Sequence, residues 1–350
     1  MVANHQHEIE APVIVADLAL TSFSWREPIY TVSSQRMWEP GFLAERVPWL
    51  QFALRGVNLG SLFAAIGMQP IENGLHARPF ASVAYSVYGR HGDLAVDAVF
   101  GDAALARLPR GARRLSDLFR ARFFAAGRTT VTLSELREPH RSEALAATRE
   151  QVEDDLHHFE SLIRQGATIF LAPEGFYTGD GRMQRLRGAF ARLAPAASVW
   201  MVGVSYDPFA ERRLSMLYRL VRSRPRVAIE AQIKAARPVT TSALLGTWLH
   251  ERAAPFSERG ALDAITRQLA HLPPMLFVDP ELRRDPLRRL RPALRRMTAL
   301  GMLTERGGEY APTGRNAHPQ FPRTRDTIAY QFNFHAETLD GARRFAENGP

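Results

Sequence analysis

The side chains best suited to chemistry gather in one stretch, ATIFLAPEGFYTGDGRMQRLRG (167–188). An apolar run, Ala167–Ala172, meets Pro173-Glu174-Gly175, then Asp180-Gly181, then Arg185-Leu186-Arg187-Gly188. This order predicts a buried strand that delivers the Glu174 carboxylate to a tight turn at Gly175. Cationic side chains and open backbone N–H groups follow just beyond. Arginines and helix N-termini favour anions, so the arrangement suits a substrate carrying phosphate and hydroxyl groups. Glu174, Gly175, Asp180, Arg185 and Arg187 are the candidate substrate-binding residues. The competing reading of Glu174 is a strand-end carboxylate that caps a turn. For Arg182, Arg185 and Arg187 it is a solvated helix face.

Several elements must position this stretch. Val152, Leu156, Phe159 and Ile163 recur at helical spacing, which predicts an amphipathic helix over 145–165 that stops at Gly166. Helix, glycine, strand and turn then form one αβ unit, with its active end where open α/β sheets bind ligands. A helix over Met183–Leu193 and strands over Ser198–Tyr206 and Arg226–Ile233 continue the alternation, which implies an α/β domain. Upstream, Ile29–Ser33 reads as a short strand, 42–68 as two helical segments and Gln69–Ile71 as another strand. Residues 1–25 read as an N-terminal tail leading into a strand at Val13–Ala16. The expected organisation is this tail, an α/β domain over 26–240 with an insertion near 73–140, and an Arg-rich, mainly helical extension over 241–350. A hairpin is expected at GGEYAPTG.

The Pro-Glu-Gly block resembles that of the phospholipid/glycerol acyltransferase family, whose pattern runs roughly F-P-E-G-T-R-S-x-D-G-x-x-x-x-F-K-K-G-A. The resemblance spans about 28–238. It implies an αβ sandwich with a central, mostly parallel sheet flanked by helices. It also implies transfer of an acyl chain from an acyl-CoA or acyl-carrier-protein thioester to a glycerol-phosphate-like or polyol hydroxyl, with no cofactor or metal. Where the family has Thr-Arg, this chain has Phe176-Tyr177; Asp180, Gly181, Arg187 and Gly188 keep their places. The family's base is a His separated by four residues from an Asp, just after an early strand, within N-H-Q-S-W-L-D-P. Laid over that block, IYTVSSQRMWEPGFLA (29–44) puts Ser34 on the His and Glu39 on the Asp, so these two hold the expected catalytic positions in degenerate form. A hydroxyl cannot take a proton at neutral pH, and losing a general base typically costs about 10²–10⁴-fold in rate. Two readings follow: an acyltransferase with a rearranged dyad, or a silent relative that binds lipid or a partner protein. A helix-capping role for Ser34 is the structural alternative.

Three other histidine–acid pairs stand near the spacing of the missing base. Asn4-His5-Gln6-His7, with Glu10 after it, resembles the block, but it precedes any expected strand and no helix is expected to follow. His335 and Asp340 have the right gap but come after the Glu174 block instead of before it. His91 and Asp97 have the wrong gap.

The bulk composition narrows the classes. With 350 residues and 45% hydrophobic content the chain can bury a full core. No cysteine is present, which excludes thiol nucleophiles and thiolate metal sites. The formal charge is +9, yet only Lys234 of the 45 basic residues is a lysine, a skew that speaks for coding bias more than for a polyanion surface. Nucleic acid is therefore not the expected partner. No apolar run reaches the roughly 18–20 residues of a membrane helix, and MVANHQHEIEAP lacks the pattern of a secretory signal, so a cytoplasmic protein is expected, either soluble or peripheral at the inner membrane face. Leu282–Met297 carries seven arginines and sets Leu287, Leu290, Leu294 and Met297 on one helical face. It reads as an interfacial segment on anionic lipid, as part of a winged-helix-like unit that could bind DNA, or as a docking domain with a solvated basic face. TIAYQFNFH (327–335) is loosely similar to a stretch near the C-terminus of glycerol-3-phosphate acyltransferases.

Overall fold

The computed structural model describes the chain except residues 8–9, 22–27, 40–41, 44–46, 55, 73–77, 109, 120–128, 176–177, 211–213, 251, 320, 322–323 and 348–350. In chain order its principal elements are β1 (Val2–Ala3), α1 (Glu10–Thr21), β2 (Ile29–Ser34), β3 (Met68–Ile71), α2 (Phe80–His91) and α3 (His140–Arg164). There follow β4 (Thr168–Phe170), α4 (Gly188–Leu193), β5 (Trp200–Asp207), β6 (Ser215–Arg222), α5 (Ile229–Ala236) and α6 (Thr241–His250). The remainder comprises β7 (Phe256–Ser257), α7 (Glu258–Ala270), α8 (Pro280–Arg284), α9 (Pro286–Ala299), β8 (Leu303–Arg306), β9 (Glu309–Pro312) and α10 (Thr327–Glu347). The fold is mixed α/β with small, mostly parallel sheets and a long C-terminal helix. Among the described residues no helix is long and apolar enough to cross a membrane.

The chain packs as two compact units. One joins Met1–Ile29 to Thr168–Pro350 and the other is Tyr30–Ala167. The break expected near residue 240 is therefore not where the packing divides.

In the first unit β1 lies between β5 and Leu171. It runs parallel to β5, with Val2 opposite Met201 and Ala3 opposite Val202, and Val2 also bridges Leu171 in parallel. β6 continues the sheet antiparallel to β5, from Trp200 opposite Arg222 to Asp207 opposite Ser215. α1 covers this sheet. Ile14 is fully buried among Phe170, Val202, Val204 and Tyr206. Where a tail was expected, Val2–Ala3 is a strand and Glu10–Thr21 a helix, so Val13–Ala16 is helical instead of a strand. Pro12 is tolerated because it falls in the first turn, where no intrahelical N–H bond is lost.

Arg226–Ile233 was also expected as a strand, yet Ile229–Ala236 is the helix α5. Its C-terminal backbone lies directly on β5. A Cβ added to Gly203 would meet the carbonyl carbon of Ala236 at 2.1 Å, so only glycine permits this approach.

The C-terminal elements wrap one apolar core containing Leu244, Ile265, Leu290, Leu294, Met297 and Tyr310. Strand order is β8–β9–β7, all antiparallel, and β8 and β9 meet at Gly307-Gly308, both at positive φ as a two-residue hairpin requires. The basic stretch forms α8 and α9, and its apolar face is spent internally, because Leu290, Leu294 and Met297 are each 0% exposed. Arg289 also points inward, with Nη2 at 2.7 Å from Asp279 and 3.7 Å from Asp207.

The second unit sets β2 and β3 in parallel, Thr31 opposite Met68, and packs α2 on a core of Phe80, Val83, Phe100, Leu115 and Leu118.

Gly203→Ala is expected to destabilise the first unit by about 2–3 kcal/mol, since β5 and α5 must separate to admit a methyl group. Urea unfolding of the two proteins measures it.

Candidate active site

Two turns leave the first unit's sheet at the same edge. β1 and Leu171 are parallel neighbours, so the chain emerges from both at their C-terminal ends, and His5 and Glu174 lie just beyond. Asn4 fastens the first turn to the sheet. Its Nδ2 donates to the Val204 carbonyl at 2.9 Å, and Val204 N donates back to its Oδ1 at 2.7 Å, a side-chain copy of a ladder rung. Gln6 Nε2 donates to the same carbonyl at 2.6 Å.

Glu10, at the start of α1, organises this turn from within. Its Oε1 accepts from the backbone N–H of Gln6 at 2.7 Å and of His7 at 2.8 Å. Its Oε2 lies 2.8 Å from His5 Nδ1. Glu10 is buried, whereas the His5 side chain keeps 22% of its surface exposed. Burial pushes the Glu10 carboxyl above its ordinary range, and the hydrogen bond and charge of His5, with the N–H groups of Gln6 and His7, pull it down. An imidazole whose Nδ1 donates to a carboxylate carries its basic lone pair on Nε2 and gains a partner for the cation it becomes. That is the equipment of a general base.

Glu174 ties the second turn to the first. Its Oε1 accepts from His5 N at 2.9 Å and its Oε2 from Gln184 N at 2.7 Å. Arg187 closes the loop, with its backbone N–H on the Pro173 carbonyl at 2.9 Å and its Nε on the Glu174 carbonyl at 3.0 Å. Gly175 has φ of 75°, a conformation that favours glycine, and a Cβ there would stand 2.6 Å from Arg187 Nε and push that side chain aside. Burial raises Glu174 to about 7, opposed by the Gln184 N–H and the charge of Arg237. Arg237 is buried behind the turn, Nη1 at 3.2 Å from Glu337 and the guanidinium 4.2 Å from the Phe334 ring centre.

The expected substrate-binding residues thus take different roles. Glu174, Gly175 and Arg187 interlock to shape the turn. Asp180 docks the following loop on α10, accepting Arg182 N at 3.0 Å on its Oδ1 and Asn333 Nδ2 at 2.9 Å on its carbonyl. Arg185 is exposed. Phe176 and Tyr177 lie outside the described residues.

Ser34 and Glu39 do not form a dyad. Ser34 caps the short helix that follows β2, its Oγ accepting from Arg36 N at 3.4 Å. Glu39 is held by Arg36 Nη1 at 2.5 Å and by the Ser82 hydroxyl. No hydrogen bond joins the two, and both belong to the second unit whereas Glu174 belongs to the first. His335 is buried on α10, where desolvation lowers it to about 4, and Asp340 pairs with Arg344 at 3.0 Å.

The pair that sequence reasoning set aside is therefore the one that meets Glu174. The sequence shows Asn4-His5-Gln6 with Glu10 at the gap sought, and the flanking β1 and α1 emerge only in the structure. Comparison with protein-family models, with curated proteins and with solved structures returns no match.

Glu174 also gives a pH signature. Between about 4.5 and about 7 the unfolded chain releases a proton that the folded chain retains, so this carboxyl's contribution to stability is full below 4.5 and lost as pH rises through 7. Relative to wild type, Glu174→Gln is expected to gain roughly 3 kcal/mol across that window and to show no further change above pH 8. Urea titrations at intervals of pH read it directly.

Proposed function

We propose that the protein is an acyltransferase of the phospholipid/glycerol type, with His5 as general base and Glu10 as the carboxylate that orients it. The observation that carries this reading is the 2.8 Å contact between His5 Nδ1 and Glu10 Oε2, on a turn bonded at 2.9 Å to the Glu174 of the Pro-Glu-Gly block. The donor is an acyl-CoA or acyl-carrier-protein thioester and the acceptor a phosphorylated or polyol alcohol.

The acceptor O–H gives its proton to His5 Nε2 as the oxygen attacks the thioester carbonyl. The imidazolium that forms is stabilised by Glu10. Collapse of the tetrahedral adduct breaks the C–S bond, and His5 returns the proton to the departing sulfur, leaving an ester and a free thiol. Glu10 is suited to this role because its second oxygen is committed to two backbone N–H groups, which fixes the carboxylate and with it the ring. Arg185, exposed beyond the Glu174 turn, offers a cation to an acceptor phosphate.

Thiol release tests the reading without background, because the chain has no cysteine. The full chain is incubated with acyl-CoA or acyl-carrier protein and glycerol 3-phosphate or its monoacyl ester. His5→Ala is expected to lower kcat by about 10²–10⁴-fold and Glu10→Gln by about 10²-fold or more, with Ser34→Ala unchanged. No turnover with any pair would refute acyl transfer. Turnover that survives His5→Ala would refute the base.

A further inference from the structure

Three side chains of the second unit converge with no role in the chemistry above. His91 is the last residue of α2, His140 the first of α3, and Glu143 follows His140 by one helical turn on the same face. His91 Nε2 stands 2.7 Å from Glu143 Oε2, and His140 Nδ1 stands 3.9 Å from it. The two imidazole rings are 4.8 Å apart, edge to face. One ligand atom from each of the three residues fits within a 4.8 Å span.

All three line a cavity whose wall also includes Ser86, Arg90 and Thr148. His140 is the decisive member. Its side chain is 9% exposed, yet its buried Nδ1 has no hydrogen-bond partner. Burying an imidazole nitrogen unpartnered costs free energy that a bound ion in the cavity removes.

We propose that His91, His140 and Glu143 form a divalent transition-metal site, with Zn²⁺ the best-matched ion. Two neutral imidazoles and one carboxylate are a zinc donor set, and they leave a fourth position that faces the cavity, where Ser86 and Thr148 can hydrogen-bond a metal-bound water. Zinc–ligand lengths of about 2.0–2.2 Å require the donor atoms to draw in by about an ångström, within the reach of side-chain rotation. The nearby cations are already engaged: Arg78 pairs with Glu72, and Arg90 Nη2 lies 3.4 Å from Ser86 Oγ. The bound ion clips the end of α2 to the start of α3, which lie far apart in sequence. This site does not depend on the acyl-transfer reading.

Calorimetric titration of the chelator-treated full chain with Zn²⁺ alone tests it. Wild type is expected to show one strong site and a melting temperature that rises with Zn²⁺. His91→Gln and Glu143→Gln alter partly exposed side chains, so both variants are expected to fold, which circular dichroism checks. Each should bind Zn²⁺ about tenfold or more weakly and lose the thermal response. Absence of a strong site in wild type, or equal binding by wild type and both variants, would overturn the proposal.

Discussion

Val2 and Ala3 pair with β5 on one side and with Leu171 on the other, and the geometry of the site follows from that placement. Ala3 N donates to the Leu171 carbonyl at 3.0 Å on one side, while β5 runs alongside on the other. Without β1, the backbone groups of Leu171 and of β5 would lose their partners inside a buried layer, at about 1–3 kcal/mol for each group left unsatisfied. Parallel pairing then dictates that the chain leaves β1 and Leu171 at one edge, so His5 and Glu174 arrive side by side. Asn4 prolongs the ladder by one rung and so removes freedom from the residue that matters most, its neighbour His5.

Two buried carboxylates finish the arrangement. Glu10 and Glu174 each accept two backbone N–H donors, and these bonds run between segments distant in sequence or across a sharp turn. A buried polar group that is so satisfied is stiff. Each carboxylate therefore acts as a template on which a loop is wound. Glu10 holds the loop with one oxygen and the His5 ring with the other. Glu174 joins that loop to the one that ends in Arg187, with Arg237 behind it.

Much of this was legible in the sequence where the signal is local. The apolar run into Pro173-Glu174-Gly175 specifies a strand and a turn within a few residues, and α3 declares itself by periodicity. β1 did not, because two residues carry no pattern, and its strand character comes from partners some 170–200 positions away. α1 was hidden differently. Val13, Ile14 and Val15 favour a strand locally, and burial of Ile14 against Phe170 and Val204 overrides that preference. With β1 and α1 unseen, Asn4-His5-Gln6 lacked the flanks that mark it, and Ser34 and Glu39 took its place by resemblance. The arginine stretch shows a related limit. Its helical face was readable, but that the face closes an internal core was not.

β1 and α1 bring His5 and Glu10 together at 2.8 Å. Proton NMR at low temperature observes this contact as a strongly deshielded imidazole Nδ1 proton. Wild type is expected to show such a resonance, which disappears in both His5→Gln and Glu10→Gln and persists in Ser34→Ala. A spectrum with no resonance that depends on both His5 and Glu10 would contradict the pairing.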